Sequence, residues 1–268
     1  MKEETKNIIE IKNLVKTFDG RPVLDGLDLE IPEGKITVIM GGSGCGKSTL
    51  LRHLIGLLVP TEGSILIDGE NIVGMSENEM NKVRRKFGML FQGSALFNSL
   101  TVEENVALPL REHTGLSDSI IRIIVKVKLE LVGLTGFEHF RPHQISGGMK
   151  KRVALARAIA LDPKIVFYDE PGAGLDPITA AMIDQLILDL SRKLRITSVV
   201  VSHEMKSAFR IADKIIILRK GKVLEMGTGT EIQNSKNSYV RQFISGEPDG
   251  AIPLMQTSEA YLKGLLET

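Results

Sequence analysis

Eight consecutive residues, Gly41-Gly42-Ser43-Gly44-Cys45-Gly46-Lys47-Ser48, constrain the fold of this chain more than any others. They fit the pattern G-x-x-x-x-G-K-[ST], a loop that wraps nucleotide phosphates when it joins a buried strand to a helix start. Both flanks supply that setting. Ile36-Thr37-Val38-Ile39-Met40 reads as a buried parallel strand, and Leu50, Leu51, Leu54, Leu57 and Leu58 recur at helical spacing. Glycines let backbone N–H groups approach the phosphates closely, and the helix end adds about half a positive charge. In such a loop Lys47 bridges the β- and γ-phosphates, the Ser48 hydroxyl ligates Mg²⁺, and Thr49 completes the nucleotide contacts. The competing reading, a glycine-rich turn with no ligand, leaves the strand and helix unexplained.

Composition sets milder limits. A chain of 268 residues has room for one large domain or two small ones. Its 34 Lys and Arg against 33 Asp and Glu leave a net charge of +1, so no global excess attracts nucleic acid. No apolar run approaches the ~18 residues that span a bilayer. Even Ile120–Val132 is broken by Arg122, Lys126, Lys128 and Glu130. The start, Met1-Lys2-Glu3-Glu4-Thr5-Lys6, lacks the apolar core of a signal peptide, and a single cysteine fits a reducing compartment. A soluble cytoplasmic protein is expected.

The pattern along the chain alternates strands with helices. Residues 8–31 read as antiparallel strands, with alternation in Leu27-Asp28-Leu29-Glu30-Ile31. Ser64–Ile67, Phe87–Phe91, Lys164–Tyr168 and Ile196–Val201 read as further strands, and Lys214–Arg219 and Lys222–Met226 as a hairpin. Residues from about 93 to 160 look mostly helical. Asp176 and Pro177 open a helix carrying Ile183, Leu186, Ile187, Leu190 and Leu194. The expected fold is α/β: a mixed-sheet core with an antiparallel β subdomain and a helical insert. From Gly246 the pattern dissolves, so the expected division is a nucleotide-binding domain over 1–246 and a C-terminal extension over 247–268. Pro248, Gly250 and Pro253 interrupt that extension before a short apolar end of Ala260, Tyr261, Leu262, Leu265 and Leu266, suited to assembly rather than chemistry.

A phosphate-binding loop does not choose among kinases, GTPases and motors; two further motifs do. Ile165-Val166-Phe167-Tyr168 runs into Asp169-Glu170. A strand ending in two carboxylates beside such a loop supplies a Mg²⁺-binding Asp and a second carboxylate, Glu170, as general base toward the attacking water. Ser146-Gly147-Gly148-Met149 stands ahead of an Ala- and Leu-rich helix, and two glycines with a hydroxyl at a helix start make a second anion site. Together these motifs resemble the ATP-binding-cassette (ABC) ATPases, P-loop NTPases whose signature usually reads LSGGQ and here reads Ile145-Ser146-Gly147-Gly148-Met149. The resemblance covers about residues 8–245. It implies ATP and Mg²⁺ as ligands, and a head-to-tail homodimer in which each P-loop faces the partner's signature. Met149 lacks the amide of the usual Gln, which affects only that side chain's polar role.

The same resemblance assigns other positions. Phe18 matches the aromatic that stacks on adenine, although a core Phe at a strand end remains open. Gln92 matches the Mg²⁺-sensing Gln that reports to the membrane partner, and His203 the histidine that contacts the γ-phosphate. Ala173-Gly174-Leu175-Asp176 matches the segment that meets the opposite subunit, with Ala173 in place of the usual Ser. The remaining histidines read as structural or surface. The basic clusters Lys82, Arg84, Arg85, Lys86 and Lys150, Lys151, Arg152 read as solvated helix faces. Cys45 reads as a neutral loop position, and the ten scattered methionines as packing.

The stretch Phe91–Thr114, with Asn105-Val106-Ala107-Leu108-Pro109-Leu110-Arg111-Glu112 as its distinctive part, resembles the ATPase subunits of Mla/Mce-type lipid transporters. That resemblance implies an ATPase coupled to phospholipid transport, attached to the cytoplasmic face of the inner membrane. Its partners would be an integral membrane permease, and further a small regulatory subunit and a lipid-binding Mce-type protein. Leu96, Phe97, Val106, Leu108 and Leu110 are candidates for the permease dock, or else for the core of the helical insert. Two alternatives stay open: the ATPase of a polar-solute, amino-acid-type importer, and a non-transport cassette in DNA repair or translation. The latter class usually carries tandem cassettes or a long coiled-coil insert, which this chain lacks.

Overall fold

The computed structural model describes residues 6–247. Two strands open the chain, β1 (Asn7–Phe18) and β2 (Arg21–Pro32), joined by Asp19-Gly20 with φ of 48° and 75°. Two positive φ values make the tight turn whose twist suits a hairpin. Along β2, Leu27, Leu29 and Ile31 are buried while Asp28 and Glu30 face solvent, as alternation demands. After β3 (Ile36–Gly41) and α1 (Lys47–Leu54), strands β4 (Glu62–Ile67) and β5 (Glu70–Asn71) complete an antiparallel sheet of order β2-β1-β4-β5. The second sheet takes β3 with β6 (Phe87–Leu90), β7 (Ile165–Asp169), β8 (Thr197–Val201), β9 (Lys214–Arg219) and β10 (Lys222–Gly227), in order β10-β9-β3-β8-β7-β6. Five of these strands are parallel; β10 turns back on β9 through Lys220-Gly221.

The continuous apolar runs follow from the layering, because this parallel sheet is buried on both faces. Successive side chains enter two different cores. Ile39, Phe167, Val199 and Ile216 join the antiparallel sheet and α1. Val38, Tyr168, Val200 and Ile215 join the helices on the other face. Those helices are α3 (Val102–His113), α4 (Asp118–Leu131), α5 (Gly147–Ala158), α6 (Pro177–Leu194) and α7 (Met205–Ile211), with the small α2 (Glu77–Arg84) before β6 and α8 (Gly229–Gln233) and α9 (Ser238–Ser245) at the end. Asp176 caps α6 by accepting from the Ile178 and Thr179 N–H groups, with Pro177 at the first helical position, as the sequence predicts. No helix among the described residues is long and apolar enough to cross a membrane.

Two expectations change and two alternatives are settled. The leucine spacing predicts α1 through Leu58, but the helix stops at Leu54. Gly56, at φ 69°, ends it in the left-handed conformation typical of the position after a C-cap, and Leu57 points to solvent. Val106 and Leu110, offered as part of a dock, are core residues at 0% and 2% exposure. Lys151 is no solvated helix-face charge: it is 4% exposed. His53 is fully buried, with Nδ1 2.8 Å from the Leu58 carbonyl, which makes it structural. The apolar end Ala260–Leu266, and all of the expected extension beyond Glu247, lies outside the described residues.

Strand β6 packs hard against α5 at Gly88, where a Cβ would sit 2.0 Å from the Ala158 carbonyl oxygen. Backbone cannot yield as a flexible side chain does, so Gly88→Ala should cost about 1–3 kcal/mol of stability. Gly115→Ala, where a Cβ meets nothing within 4 Å, is the control. Equal denaturation midpoints for the two variants would show that the β6–α5 contact is not tight.

Candidate functional site

In an open parallel sheet, loops at the carboxyl ends of the strands form the binding crevice. Here the register sets four such ends side by side: Ile39 pairs with Val201, Asp169 with Val201, and Leu90 with Tyr168. The loop after β3 carries Gly41–Lys47, that after β8 His203, that after β7 Glu170, and that after β6 Gln92. Four motifs far apart in sequence therefore converge because their strands are neighbours.

Glycine is required in the loop at two places. Gly41 has φ 152°, and a Cβ there would lie 2.3 Å from the Leu218 carbonyl oxygen. Gly46, at φ 106°, is the N-cap of α1, and a Cβ would press to 2.8 Å on Leu24. No side chain caps α1, so its first N–H groups remain directed at the loop's concavity. Lys47 Nζ donates to the Gly41 and Gly42 carbonyls at 2.6 and 3.1 Å. Ser43, Gly44 and Ser48 are exposed and Thr49 half-buried, whereas Cys45 is buried. The loop's outer wall comes from α9: a Cβ on Gly42 would touch the Tyr239 hydroxyl at 3.4 Å, and Arg219 lies 4.0 Å from the Tyr239 ring centre.

Asp169 ends β7 half-buried, and Glu170 follows with φ 47°, a left-handed conformation costly for a residue with a Cβ. The Glu170 N–H donates to the Val201 carbonyl at 2.9 Å, and its own carbonyl accepts from Lys151 Nζ at 3.3 Å. Its side chain turns toward β8, where His203 Nδ1–H donates to Glu170 Oε1 at 2.8 Å. Burial, then the neighbouring Glu170 charge, raises the Asp169 carboxyl above the usual carboxylate range, while Lys151 and Arg52 pull it back. A cavity of about 350 Å³ opens beside Glu170 and His203, walled by Gly172–Leu175 and α6. The loop Gly41–Ser48 and Ser146 lie outside it.

The remaining positions fall at the rim. Phe18, at the end of β1, is 43% exposed with Lys16 Nζ 5.1 Å from its ring centre, so it is not a core Phe. Ser146 caps α5, its hydroxyl accepting from the Met149 N–H at 3.3 Å. Ser146 and Gly147 are exposed, and Gly148 is buried against Thr179. Gln92 is exposed while its carbonyl accepts from Lys151 Nζ.

Sequence reading missed three residues. Tyr239 walls the phosphate loop from α9. Asp184, buried on α6, accepts from Ser207 at 2.6 Å and Arg210 at 2.7 Å, tying α6 to the helix that follows His203. Lys151 reaches two site carbonyls at once. A signal for Lys151 was present: it shares its helical stripe with Gly148, Ala154, Leu155 and Ala158, all buried.

Comparisons with known proteins agree with this arrangement. The family model for the ABC transporter matches residues 24–173. The intermembrane phospholipid transport system ATP-binding protein MlaF of Haemophilus influenzae is 45% identical over 262 residues, 98% of this chain and 99% of that protein. A probable ribonucleotide transport ATP-binding protein of Mycobacterium leprae is 43% identical over 94% of this chain and 72% of that one. Among solved structures, the dimeric ABC transporter cassette MJ0796 superposes with a TM-score of 0.76 at 36% identity, covering 82% of this chain and 98% of that one. The P-loop, the paired carboxylates, the Ser-Gly-Gly helix start and these likenesses agree: the chain belongs to the ABC transporter family, as an ATP-binding cassette.

Proposed function

We propose that this cassette hydrolyses ATP to power phospholipid transport across the cell envelope. The observation that carries the substrate class is the 45% identity, over nearly the whole of both chains, to a phospholipid transport ATPase. The polar-solute alternative is less favoured, since the relatives matched over nearly the whole of both chains are named for phospholipid transport. Cassettes of this family work as dimers with membrane permeases. On this reading the chain lies at the cytoplasmic face of the inner membrane with its permease, and a regulatory subunit and an Mce-type protein are further partners. Residues 1–246 form the nucleotide-binding domain, 93–160 its helical subdomain, and 247–268 an extension serving assembly.

The geometry supports the following roles. Phe18 offers an exposed ring face to adenine. The Gly41–Gly46 N–H groups and the α1 start receive the phosphates, and Lys47 exchanges the Gly41 and Gly42 carbonyls for β- and γ-phosphate oxygens. Ser48, Gln92 and Asp169 would hold Mg²⁺, a hard cation to which their side-chain oxygens are suited. When bound, Mg²⁺ neutralises charge on the phosphates. Glu170 accepts the proton of the attacking water, and His203 fixes that carboxylate through Nδ1 while its exposed ring edge meets the γ-phosphate. Ser146, Gly147 and Gly148 close on the nucleotide held by the partner subunit.

Exposed apolar side chains beside Gln92, Phe91 at 38% and Phe97 at 52%, supply the permease dock. With its permease in liposomes, the protein should move labelled phospholipid on addition of MgATP, and Phe97→Asp should lose permease recovery while keeping ATP binding. Co-purification with a polar-solute permease, and no phospholipid movement, would overturn the reading.

A further inference from the structure

We propose that Lys151 is a positioning residue that couples the Gln92 loop to the hydrolytic carboxylate; this rests on Glu170 being the general base. Main-chain pairing between β6 and β7 ends at Leu90–Tyr168, short of both Gln92 and Glu170. Beyond that point the Lys151 ammonium spans the two loops, donating to the Gln92 carbonyl at 2.5 Å and to the Glu170 carbonyl at 3.3 Å. Both loops are conformationally costly. Glu170 has φ 47°, and Ser94 and Ala95 have φ 63° and 48°. Arg157, farther along the same helix, donates to the Ser94 and Ala95 carbonyls at 2.9 and 2.8 Å. Thus α5, whose first turn is the Ser146 motif, grips the Gln92 loop at two points, and through Lys151 alone it also grips Glu170 by a side-chain hydrogen bond.

Packing does not require an ammonium here. Its neighbours on the buried stripe are Gly, Ala and Leu, and burial of a charge is costly unless partners compensate. The partners are the two carbonyls and the charges of Asp169 and Glu170, against which burial still lowers the Lys151 amine. The arrangement makes functional sense if movement of the Gln92 loop, beside the permease dock, has to reach the base. A misplacement of about 1 Å can cost about a hundredfold in rate without weakening ground-state binding.

The test compares Lys151→Met, Lys151→Gln and Arg157→Met by kcat, KM for ATP and the MgATP-induced shift in melting temperature. Lys151→Met removes charge and donor at similar volume, and should lower kcat about tenfold or more with ATP affinity within about twofold. Lys151→Gln keeps a donor for one carbonyl and should recover part of the loss. Arg157→Met loosens only the Gln92 loop and should lower kcat less than Lys151→Met. Unchanged kcat in Lys151→Met, a parallel fall of kcat and affinity, or a Gln variant no better than Met would each overturn the proposal. Should Lys151→Met not fold, the split is read from Lys151→Gln, whose kcat must fall at unchanged affinity. Glu170→Gln run alongside separates the two readings. Hydrolysis surviving in that variant defeats the base assignment, whereas its loss together with wild-type turnover in Lys151→Met defeats the coupling alone.

Discussion

Glu170→Gln should abolish steady-state ATP hydrolysis while leaving MgATP binding intact. The amide has nearly the shape of the carboxylate, and its oxygen can still accept the His203 Nδ1–H bond that fixes Glu170 in place. What it loses is the capacity to take a proton from water, and removal of a positioned general base costs about 10²–10⁴ in rate. Lys47→Ala should fail differently. The ammonium that bonds the Gly41 and Gly42 carbonyls is the loop's mobile positive charge, and without it the phosphates lose their main cationic contact. Thermal denaturation separates the two defects. At 100 times its Kd a ligand stabilises the native state by about 2.7 kcal/mol, so MgATP should raise the melting temperature of Glu170→Gln as it does wild type, and that of Lys47→Ala far less. Near-wild-type turnover in Glu170→Gln would remove Glu170 as the base, and an undiminished shift in Lys47→Ala would remove Lys47 from the phosphate site.

The parts of this site legible in sequence are those where backbone geometry dictates residue type. Gly41 and Gly46 stand where a Cβ would strike Leu218 or Leu24, so the glycine pattern betrays the loop. Asp169 and Glu170 stand at the end of a strand whose apolar run is forced by burial on both faces, so the carboxylates are conspicuous. Asp176 and Pro177 announce a helix start by capping chemistry alone. The parts that escaped are decided by tertiary partners. A lysine between Lys150 and Arg152 looks like one more surface charge until β6 and β7 bring two carbonyls to it. Asp184 looks like a polar interruption of an apolar helix until Ser207 and Arg210 arrive from α7. Val106 and Leu110 are apolar residues on a helix with neighbours on more than one side, and composition does not say which side is wet.

Two preparations that are each inactive should regain activity when mixed, because each proposed site draws on two chains. Ser146 and Gly147 are exposed at the start of α5, as expected of a surface that serves a neighbour. In the proposed two-fold dimer one subunit's P-loop would face the other's Ser146 motif, and symmetry would repeat the relation in reverse. Lys47→Ala/Glu170→Gln subunits supply a sound Ser146 motif and no working P-loop or base; Ser146→Arg subunits supply the converse. Either homodimer has both sites broken. The heterodimer has one site broken at every element and one intact, so random pairing should restore up to about a quarter of the wild-type rate. Ser146→Arg removes a helix cap at an exposed position, a loss of about 1 kcal/mol that a folded cassette tolerates. Titrating one inactive preparation with the other, with heterodimer formation followed by differential tags, gives the answer. Heterodimers that form and stay inactive would mean that each chain completes its site alone, and the Ser146 motif would then have to be reassigned within its own subunit.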